Sequence, residues 1–214
     1  RSDRDWSSDV CSSDLDLDRI RSNAHEDLAA ADIDMTFEPD ESGHSLSEAM
    51  QRICRQAEAL ADQGVSLMIL TDRQAGVGKA PIPSLLVVSG LHQYMVERKK
   101  RGGIGIVVEA GDIREVFHYA LHLAFGCDAM CPYLAFSTVR QLAEEGKLGR
   151  LSPEQAADNY VNAVKKGLLK TFSRMGISTL HSFFISQSFE AVGLGKDLVD
   201  TYFKGTISRI GASG

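Results

Sequence analysis

The sequence predicts an α/β fold in which a parallel sheet forms part of a TIM-like barrel and helices cover it. Short apolar runs alternate with segments of helical periodicity from about residue 45 onward, which is typical of right-handed βαβ crossovers. We identify four strand candidates, about half of the eight in a closed barrel of roughly 250 residues. The alternative is an open doubly wound sheet, but the abrupt end of the chain at 211–214 favours the partial barrel. No strand candidate is followed by Gly-x-Gly-x-x-Gly, so a Rossmann dinucleotide site has no support.

The first part of this pattern contains two helices and one strand. A capping box of Ser45 and Glu48 predicts a helix that runs to about Gln63. The short apolar run at 65–70 follows as a buried strand, and the segment 84–101 follows as the next helix.

The remaining part contains three further strands and three further helices. The strands are expected at 104–109, 127–131 and 177–180, and the helices at 113–125, 133–145 and 153–172. Asp112 is expected to cap the first of these helices. Ser152 is expected to cap the last, with Pro153 at its first position.

The composition excludes several classes of protein. The 214 residues are 43% hydrophobic and 24% charged, as in an average globular protein, and the formal net charge is −6. This acidic balance argues against nucleic acid or an anionic membrane as a partner. The one basic run, at 98–101, is interpreted as the solvated end of a helix. No apolar run approaches the roughly 18 residues that a membrane helix needs.

Loops after strands are the usual place for ligands in α/β folds. Three such loops carry polar residues, at 71–73, 109–115 and 132–133. Asp72 and Arg73 could bind a polar substrate there. The alternative, which we favour, is a structural role in which Asp72 accepts hydrogen bonds from loop amides.

Two histidines and two cysteines could in principle form a zinc site. His118 and His122 lie four residues apart on one helix, and Cys127 and Cys131 follow. The spacing argues against zinc, because no Cys-x₂-Cys pair is present. We expect the histidines at the helix surface or against the next helix, and the cysteines as small apolar residues. With Cys54, these thiols favour a reducing compartment, and the default location is cytoplasmic.

The first fifteen residues are expected to be a disordered tail or to have no biological origin. Residues 9–15, DVCSSDL, match the translation of a common sequencing adapter, so we interpret 1–15 as adapter-derived and set Cys11 aside. Residues 16–44 show no regular pattern and are expected to be an irregular lead-in.

Several long strings resemble the glutamate synthase large subunit family. They are ILTDR (69–73), APIPSLL (80–86), VVEAGDIREVFHYALHLAFGCDAMCPYLAF (107–136), KGLLKTFSRMGISTLHSF (166–183) and FEAVGLGKDLVDTYFKGTISRIG (189–211). The similarity covers about residues 33–214 and keeps the order of the strings, so chance agreement is very improbable.

The resemblance implies a place in a multidomain flavoenzyme. The family makes L-glutamate from L-glutamine and 2-oxoglutarate by reductive amidotransfer, with an amidotransferase domain, a central domain, and a domain that holds FMN and an iron–sulfur cluster. The central domain resembles an incomplete FMN-linked oxidoreductase barrel without flavin. By this resemblance, 45–182 is half of a central domain and 183–214 is a truncated link toward the FMN domain. The implied partners are the neighbouring amidotransferase and FMN domains, and a reductase subunit or ferredoxin.

The resemblance brings no catalytic, cofactor-binding or metal-binding residue to this chain. The family's nucleophile, cluster cysteines and flavin loops lie outside the matched strings, so the segment alone is expected to be an inactive scaffold. At 183–187 the chain reads FFISQ where the family has an Arg-Gly pair, which puts any polar contact there in doubt. The alternative function is a stand-alone small-molecule or metal-binding α/β protein. The electron donor, NADPH, NADH or ferredoxin, stays open.

Overall fold

The computed structural model describes residues 14–22, 29–41, 44–186 and 188–211. Its first elements are the helix α1 (Asp14–Ser22) and the strands β1 (Ala30–Asp34) and β2 (Thr36–Phe37). The prediction of an irregular lead-in over 16–44 is therefore wrong. The strand was missed because its sequence, AADID, has a single large apolar residue, and pairing with the sheet rather than local pattern decides its structure. The proposed tail at 1–15 lies almost wholly outside the described residues, as does Cys11.

Between residues 44 and 174 the later elements follow the alternation that the sequence predicts, with one added short strand at 80–81, whereas the elements after residue 174 differ from the prediction. They are α2 (His44–Asp62), β3 (Leu67–Thr71), β4 (Ala80–Pro81), α3 (Ser84–Glu97), β5 (Gly105–Glu109), α4 (Val116–Ala124), β6 (Ala129–Cys131), α5 (Tyr133–Glu144), α6 (Pro153–Arg174), α7 (Leu180–Phe183), β7 (Glu190–Leu194), α8 (Lys196–Tyr202) and β8 (Ile207–Gly211). No helix in the described part of the chain is both long and apolar enough to cross a membrane.

The main sheet has four strands in the order β1-β3-β5-β6, and every neighbouring pair is parallel. The connecting helices α2, α3 and α4 all lie on one face, which we call the outer face. Alternate strand residues on that face, such as Met68, Ile106 and Met130, join the helices in one large core cluster. A doubly wound sheet would place helices on both faces. Connecting helices on one face only are the arrangement of a barrel, so the predicted partial TIM-like barrel is confirmed. The barrel is not closed.

The opposite face of the sheet, the inner face, is covered by α1. Leu17 of α1 is fully buried against Ile69, Val107 and Cys131, and these four residues form a separate small cluster. The sheet is therefore apolar on both faces, but only the outer face is packed by the crossover helices.

The strand expected at 177–180 does not form. Gly176 ends α6 with a φ of +72°, and Thr179 then accepts a hydrogen bond from the backbone N–H of Ser182, which starts α7. Because a side-chain cap competes with extended structure, the segment turns into a helix. The fourth strand of the sheet is β1 instead.

Three capping predictions have different outcomes. The capping box at the start of α6 is confirmed, since Ser152 and Gln155 bond each other's backbone N–H groups. The prediction for Ser45 is wrong, because α2 begins at His44 and Ser45 lies within it. The prediction for Asp112 is also wrong: Glu115 is the N-cap of α4, and Asp112 binds the start of α3.

The basic run at 98–101 is not simply a solvated helix end. The helix α3 ends at Glu97, before the run begins. Arg98 and Lys100 form ion pairs with Glu58 of α2, and the largely buried Arg101 binds Asp128 at 2.9 Å. These contacts join the ends of two helices to the start of β6.

The apolar substitution at 183–187 is accommodated by aromatic packing. Phe183 is fully buried, and its ring centroid lies 4.3 Å from that of Phe172 and 6.2 Å from that of Phe189. The chain therefore buries apolar surface at Phe183; Gln187 lies outside the described residues.

The last unit, β7-α8-β8, docks on the outer helices through Tyr202. A Cβ on Gly90 of α3 would lie 2.7 Å from the Cε atom of Met50 and 2.9 Å from the Cδ1 atom of Tyr202. A larger residue at this position would require both the end of the Met50 side chain and the Tyr202 ring to shift. Ser89 also donates a hydrogen bond to the carbonyl of Tyr202, and Lys204 pairs with Glu97.

Candidate functional site

The carboxyl ends of the parallel strands bring polar side chains together at one edge of the sheet. The strand register places Asp34, Thr71 and Glu109 side by side on the inner face. Arg73 and Tyr133 follow β3 and β6, and the Arg73 guanidinium lies 3.9 Å from the centre of the Tyr133 ring. The three loops identified from the sequence therefore meet at this edge, which we call the carboxyl edge.

Glu109 is the centre of the charge network at the carboxyl edge. Its side chain is 2% exposed, and its carboxylate accepts hydrogen bonds from Arg21 of α1 at 2.7 Å and from Arg73 at 3.0 Å. Burial opposes ionisation, but the hydrogen bonds from Arg21 and Thr71 outweigh it and hold the pKa of Glu109 below its usual value. Glu109 is thus a carboxylate with both oxygens engaged, and it is poorly suited to act as a general acid or base.

Asp72 has the structural role that we favour from the sequence. Its Oδ2 atom accepts a hydrogen bond from the backbone N–H of Gly111 at 2.9 Å, which ties the loop after β3 to the loop after β5. Its Oδ1 atom is buried without a hydrogen-bond partner among the described residues. Burial raises the pKa of Asp72, and it also raises the pKa of the neighbouring Tyr133 to about 12.

An open cleft of about 590 Å³ lies above this network. Arg21, Asp32, Arg73 and Glu109 are among the residues that line it. Arg21 also binds Asp32 at 3.1 Å, so both arginines direct their charge to carboxylates of the chain itself. The cleft is polar and its carboxylates outnumber its arginines, so it offers little to an anionic ligand.

A flavin does not fit the residues at this edge. Flavin phosphates in barrels bind to free backbone N–H groups and to unpaired cations at the carboxyl ends of strands. Here the N–H of Gly111 is bonded to Asp72, and the N–H of Ser84 at the start of α3 is bonded to Asp112. The inner face, where an isoalloxazine ring would need space, holds the buried side chain of Leu17.

Ser84, His122 and Asp112 form a connected group that was not identified from the sequence. The Oγ atom of Ser84 lies 2.7 Å from Nε2 of His122 and 2.6 Å from Oδ1 of Asp112. The arrangement differs from a hydrolase triad, in which the carboxylate binds the histidine rather than the serine. Ser84 is also only 1% exposed, so no substrate reaches it. The signal in the sequence was the serine at a helix start directly after Pro83.

The four residues considered for zinc lie in different surroundings. His118 accepts backbone hydrogen bonds at the start of α4, His122 faces Ser84 in the outer core, and Cys131 lies on the inner face. Cys127 is fully buried, and burial raises the pKa of its thiol. No group of three or more potential ligands occurs in residues 14–22, 29–41, 44–186 and 188–211. His122 is buried against α3, the helix before its own, and therefore lies neither at the helix surface nor against the next helix, the two placements that we expected.

The chain matches the family model of the glutamate synthase central domain over residues 10–195. It is 41% identical over 192 residues to the NADPH glutamate synthase large chain of Bacillus subtilis (strain 168), covering 90% of this chain and 12% of that one. It is 36% identical to the NADH glutamate synthase of Saccharomyces cerevisiae, covering 87% and 9%. It is 40% identical to the ferredoxin-dependent glutamate synthase of Cyanidium caldarium, covering 81% and 12%. The chain thus spans about a tenth of the length of these relatives.

Solved structures of low sequence identity share the fold. A flavocytochrome b2 variant with bound pyruvate has a TM-score of 0.53 and 10% identity, and the match covers 94% of this chain and 57% of that one. A variant with benzoylformate has a TM-score of 0.51 and 11% identity, and the match covers 70% and 38%. In both cases this chain matches part of a larger structure.

Proposed function

The chain belongs to the glutamate synthase central domain family, and from this premise we propose that it is a non-catalytic scaffold within a glutamate synthase. The complete enzyme would make L-glutamate from L-glutamine and 2-oxoglutarate by reductive amidotransfer. The segment would lie between the amidotransferase and FMN sites and shape the route of ammonia between them. Its location would be cytoplasmic.

The observation that carries this proposal is the internal pairing of the carboxyl edge. Glu109, Asp72 and Asp112 lie at the carboxyl edge, where a barrel usually binds its ligand. Both oxygens of Glu109 bind arginines of this chain, both oxygens of Asp112 bind Ser84, and one oxygen of Asp72 binds Gly111. A barrel that has lost its ligand would be expected to satisfy these groups internally, since unpaired buried polar groups are costly. The edge is therefore built for rigidity.

The proposal assigns cofactors and partners to other parts of the enzyme. FMN and the iron–sulfur cluster would be held outside residues 1–214. The sheet and its helices would form the half barrel proposed at 45–182, with β1 as an added edge strand, and 183–214 would lead toward the FMN domain. This chain has similar sequence identity to the relatives named for NADPH, NADH and ferredoxin. The electron donor is therefore left open, and so is the choice between a reductase subunit and ferredoxin as partner.

The test uses the complete synthase that carries this sequence and compares Glu109→Gln with Glu145→Gln. The first substitution keeps the size of the side chain but removes the charge that both arginines bind, whereas Glu145 is an exposed residue that pairs with Lys147. We expect Glu109→Gln to keep glutaminase activity and ammonia-dependent glutamate synthesis within about twofold of the wild type. The ratio of glutamine hydrolysed to 2-oxoglutarate consumed should rise above one, because ammonia escapes.

Glu145→Gln should keep that ratio at one. A loss of either half reaction by more than about tenfold in Glu109→Gln, with the ratio still at one, would place Glu109 at a reacting centre. That result would contradict the scaffold role.

A further inference from the structure

Asp112, Ser84 and His122 connect the β5–α4 loop (110–115) to two helices. Asp112 accepts hydrogen bonds from the backbone N–H of Ser84 at 3.0 Å and from its hydroxyl at 2.6 Å. The same hydroxyl lies 2.7 Å from Nε2 of His122. The other ring nitrogen of His122, Nδ1, lies 2.6 Å from the backbone carbonyl of His118.

Counting protons shows which states of this group are possible. The carbonyl of His118 can only accept a hydrogen bond, so Nδ1 of His122 carries a proton. In the neutral ring, Nε2 is then a bare acceptor. The Ser84 hydroxyl has a single proton, and both Nε2 and the Asp112 carboxylate require it. The neutral ring therefore cannot satisfy both short contacts of Ser84 at once.

The two competing acceptors differ in their access to water. His122 is 4% exposed, so water cannot replace Ser84 as the partner of its Nε2 atom, whereas Asp112 is an exposed residue that water can solvate. With a neutral ring, the Ser84 proton therefore goes to His122, and Oδ1 of Asp112 turns to water. With a protonated ring, Nε2–H donates to Ser84 and Ser84 donates to Asp112, so every short contact of the structure is satisfied.

We propose that Asp112, Ser84 and His122 form a proton-dependent clasp that fastens the β5–α4 loop fully to α3 only when His122 is an imidazolium. The charged or titratable groups that face His122 in the described residues are Asp112 from the loop and His118 from its own helix, while α3 contributes Ser84, which does not titrate.

The clasp closes in mildly acidic solution and loosens above it. Burial lowers the pKa of His122, while its hydrogen bond to the carbonyl of His118 and the charge of Asp112 act in the opposite direction. Closure therefore occurs below the ordinary titration range of histidine.

The clasp also reaches the carboxyl edge. Gly111, next to Asp112, is the residue whose N–H binds Asp72. Uptake of one proton in the core should therefore order the loop that borders the cleft. This inference concerns the chain's own residues and stands whether or not the scaffold function is correct.

The experiment follows the imidazole nitrogens of His122 by ¹⁵N NMR between pH 8 and pH 4 in the wild-type chain and in Asp112→Asn. The introduced amide can donate to Ser84, which frees the Ser84 proton for His122 and satisfies the neutral ring. We expect the proton affinity of His122 to fall about tenfold in Asp112→Asn. Protection of the loop amides at 111–115 against exchange should rise on acidification in the wild type and stay flat in the variant.

Asp62→Asn is the matched control, because Asp62 is an exposed carboxylate that binds Lys100 far from the loop. In this control variant, His122 should have the same proton affinity as in the wild type. Equal proton affinity of His122 in the wild type and in Asp112→Asn would overturn the clasp.

A second measurement needs no variant. At pH 8 the neutral ring of His122 should be the tautomer with its proton on Nδ1. A proton on Nε2 instead, or loop protection in the wild type that does not change with pH, would also overturn the proposal.

Discussion

The two faces of the main sheet are built in different ways. The outer face is packed by α2, α3 and α4, and its strand residues belong to a continuous cluster that also includes α6 and the last unit of the chain. The inner face has a cluster of four fully or almost fully buried residues, and its cover is the nine-residue helix α1. Beside that small cluster lies the ion-pair network of Glu109.

This difference indicates which face of the sheet contributes most to the stability of the fold. In a closed barrel the inner face is filled by side chains from all strands. Here the described sheet has about half of those strands. Its inner face is covered by the single short helix α1 instead of by side chains from further strands. Stability should therefore come from the outer face. Substitutions on the inner face should cost less stability in this chain.

The largest expected effect is the removal of an outer-face side chain. Ile106 on β5 faces outward and Ile69 on β3 faces inward, and both are fully buried. We expect Ile106→Ala to lower the free energy of unfolding by about 4 kcal/mol, because the helices packed around it cannot close the cavity. Ile69→Ala should cost about 2 kcal/mol, because α1 can shift toward the gap. Urea unfolding followed by circular dichroism measures both values.

Equal losses for Ile106→Ala and Ile69→Ala would contradict the proposed difference between the faces. Such a result would mean that α1 is held as firmly as the crossover helices are.

The sequence predicts the outer face better than the inner face, for a physical reason. Each crossover helix has its own apolar period, and β3, β5 and β6 each have their own apolar run, so local pattern is sufficient there. The strand β1 instead depends on its pairing with β3, and the contact of Arg21 with Glu109 joins residues 88 positions apart. Such contacts leave no local signal.

The candidate site shows the same division. The loops at the carboxyl edge and the structural role of Asp72 are predictable, because ligand positions in α/β folds follow from strand ends. The partner of Asp112 is not predictable from the sequence. An acidic residue before a helix normally caps that helix, here α4, but Asp112 binds the start of α3 instead. Likewise, Thr179 shows no local difference from a strand residue until its hydroxyl binds Ser182.

A smaller effect is expected when α1 loses its ion pair. Arg21→Ala leaves Glu109 with Arg73 as its remaining arginine partner and removes the bond from α1 to Asp32. We expect a loss of about 1–2 kcal/mol in the free energy of unfolding, since Glu109 is buried but Arg21 is partly exposed and screened by water.

Lys147→Ala, at an exposed ion pair with Glu145, is the control for Arg21→Ala. It should change the free energy of unfolding by less than about 0.5 kcal/mol. A loss in Arg21→Ala no larger than in the control would show that α1 is not held by this contact.

The smallest expected effect is the response of the outer face to acid, through His92 of α3. Its Nδ1 atom accepts a hydrogen bond from Arg101 at 3.0 Å, and burial together with the Arg101 charge lowers the pKa of His92 to about 4. The unfolded chain takes up this proton near its ordinary pKa of about 6.5. The neutral histidine therefore contributes stability that is complete above about pH 6.5 and is lost as the pH falls toward about 4. We expect this contribution to be on the order of 1 kcal/mol after allowance for solvent screening.

The measurement compares unfolding at pH 7 and pH 4.5 in the wild type, in His92→Gln and in His44→Gln. The glutamine introduced in place of His92 can still accept the hydrogen bond from Arg101 but does not titrate, so the acid-induced loss of stability should shrink by about 1 kcal/mol relative to the wild type. His44 lies at the exposed start of α2, and its replacement controls for the loss of a histidine elsewhere in the chain. The clasp at His122 is intact in both variants, so it cancels in the comparison. If His92→Gln retains the full acid sensitivity of the wild type, the outer face does not hold His92 in its neutral form, and acid lability must then arise at the carboxyl edge.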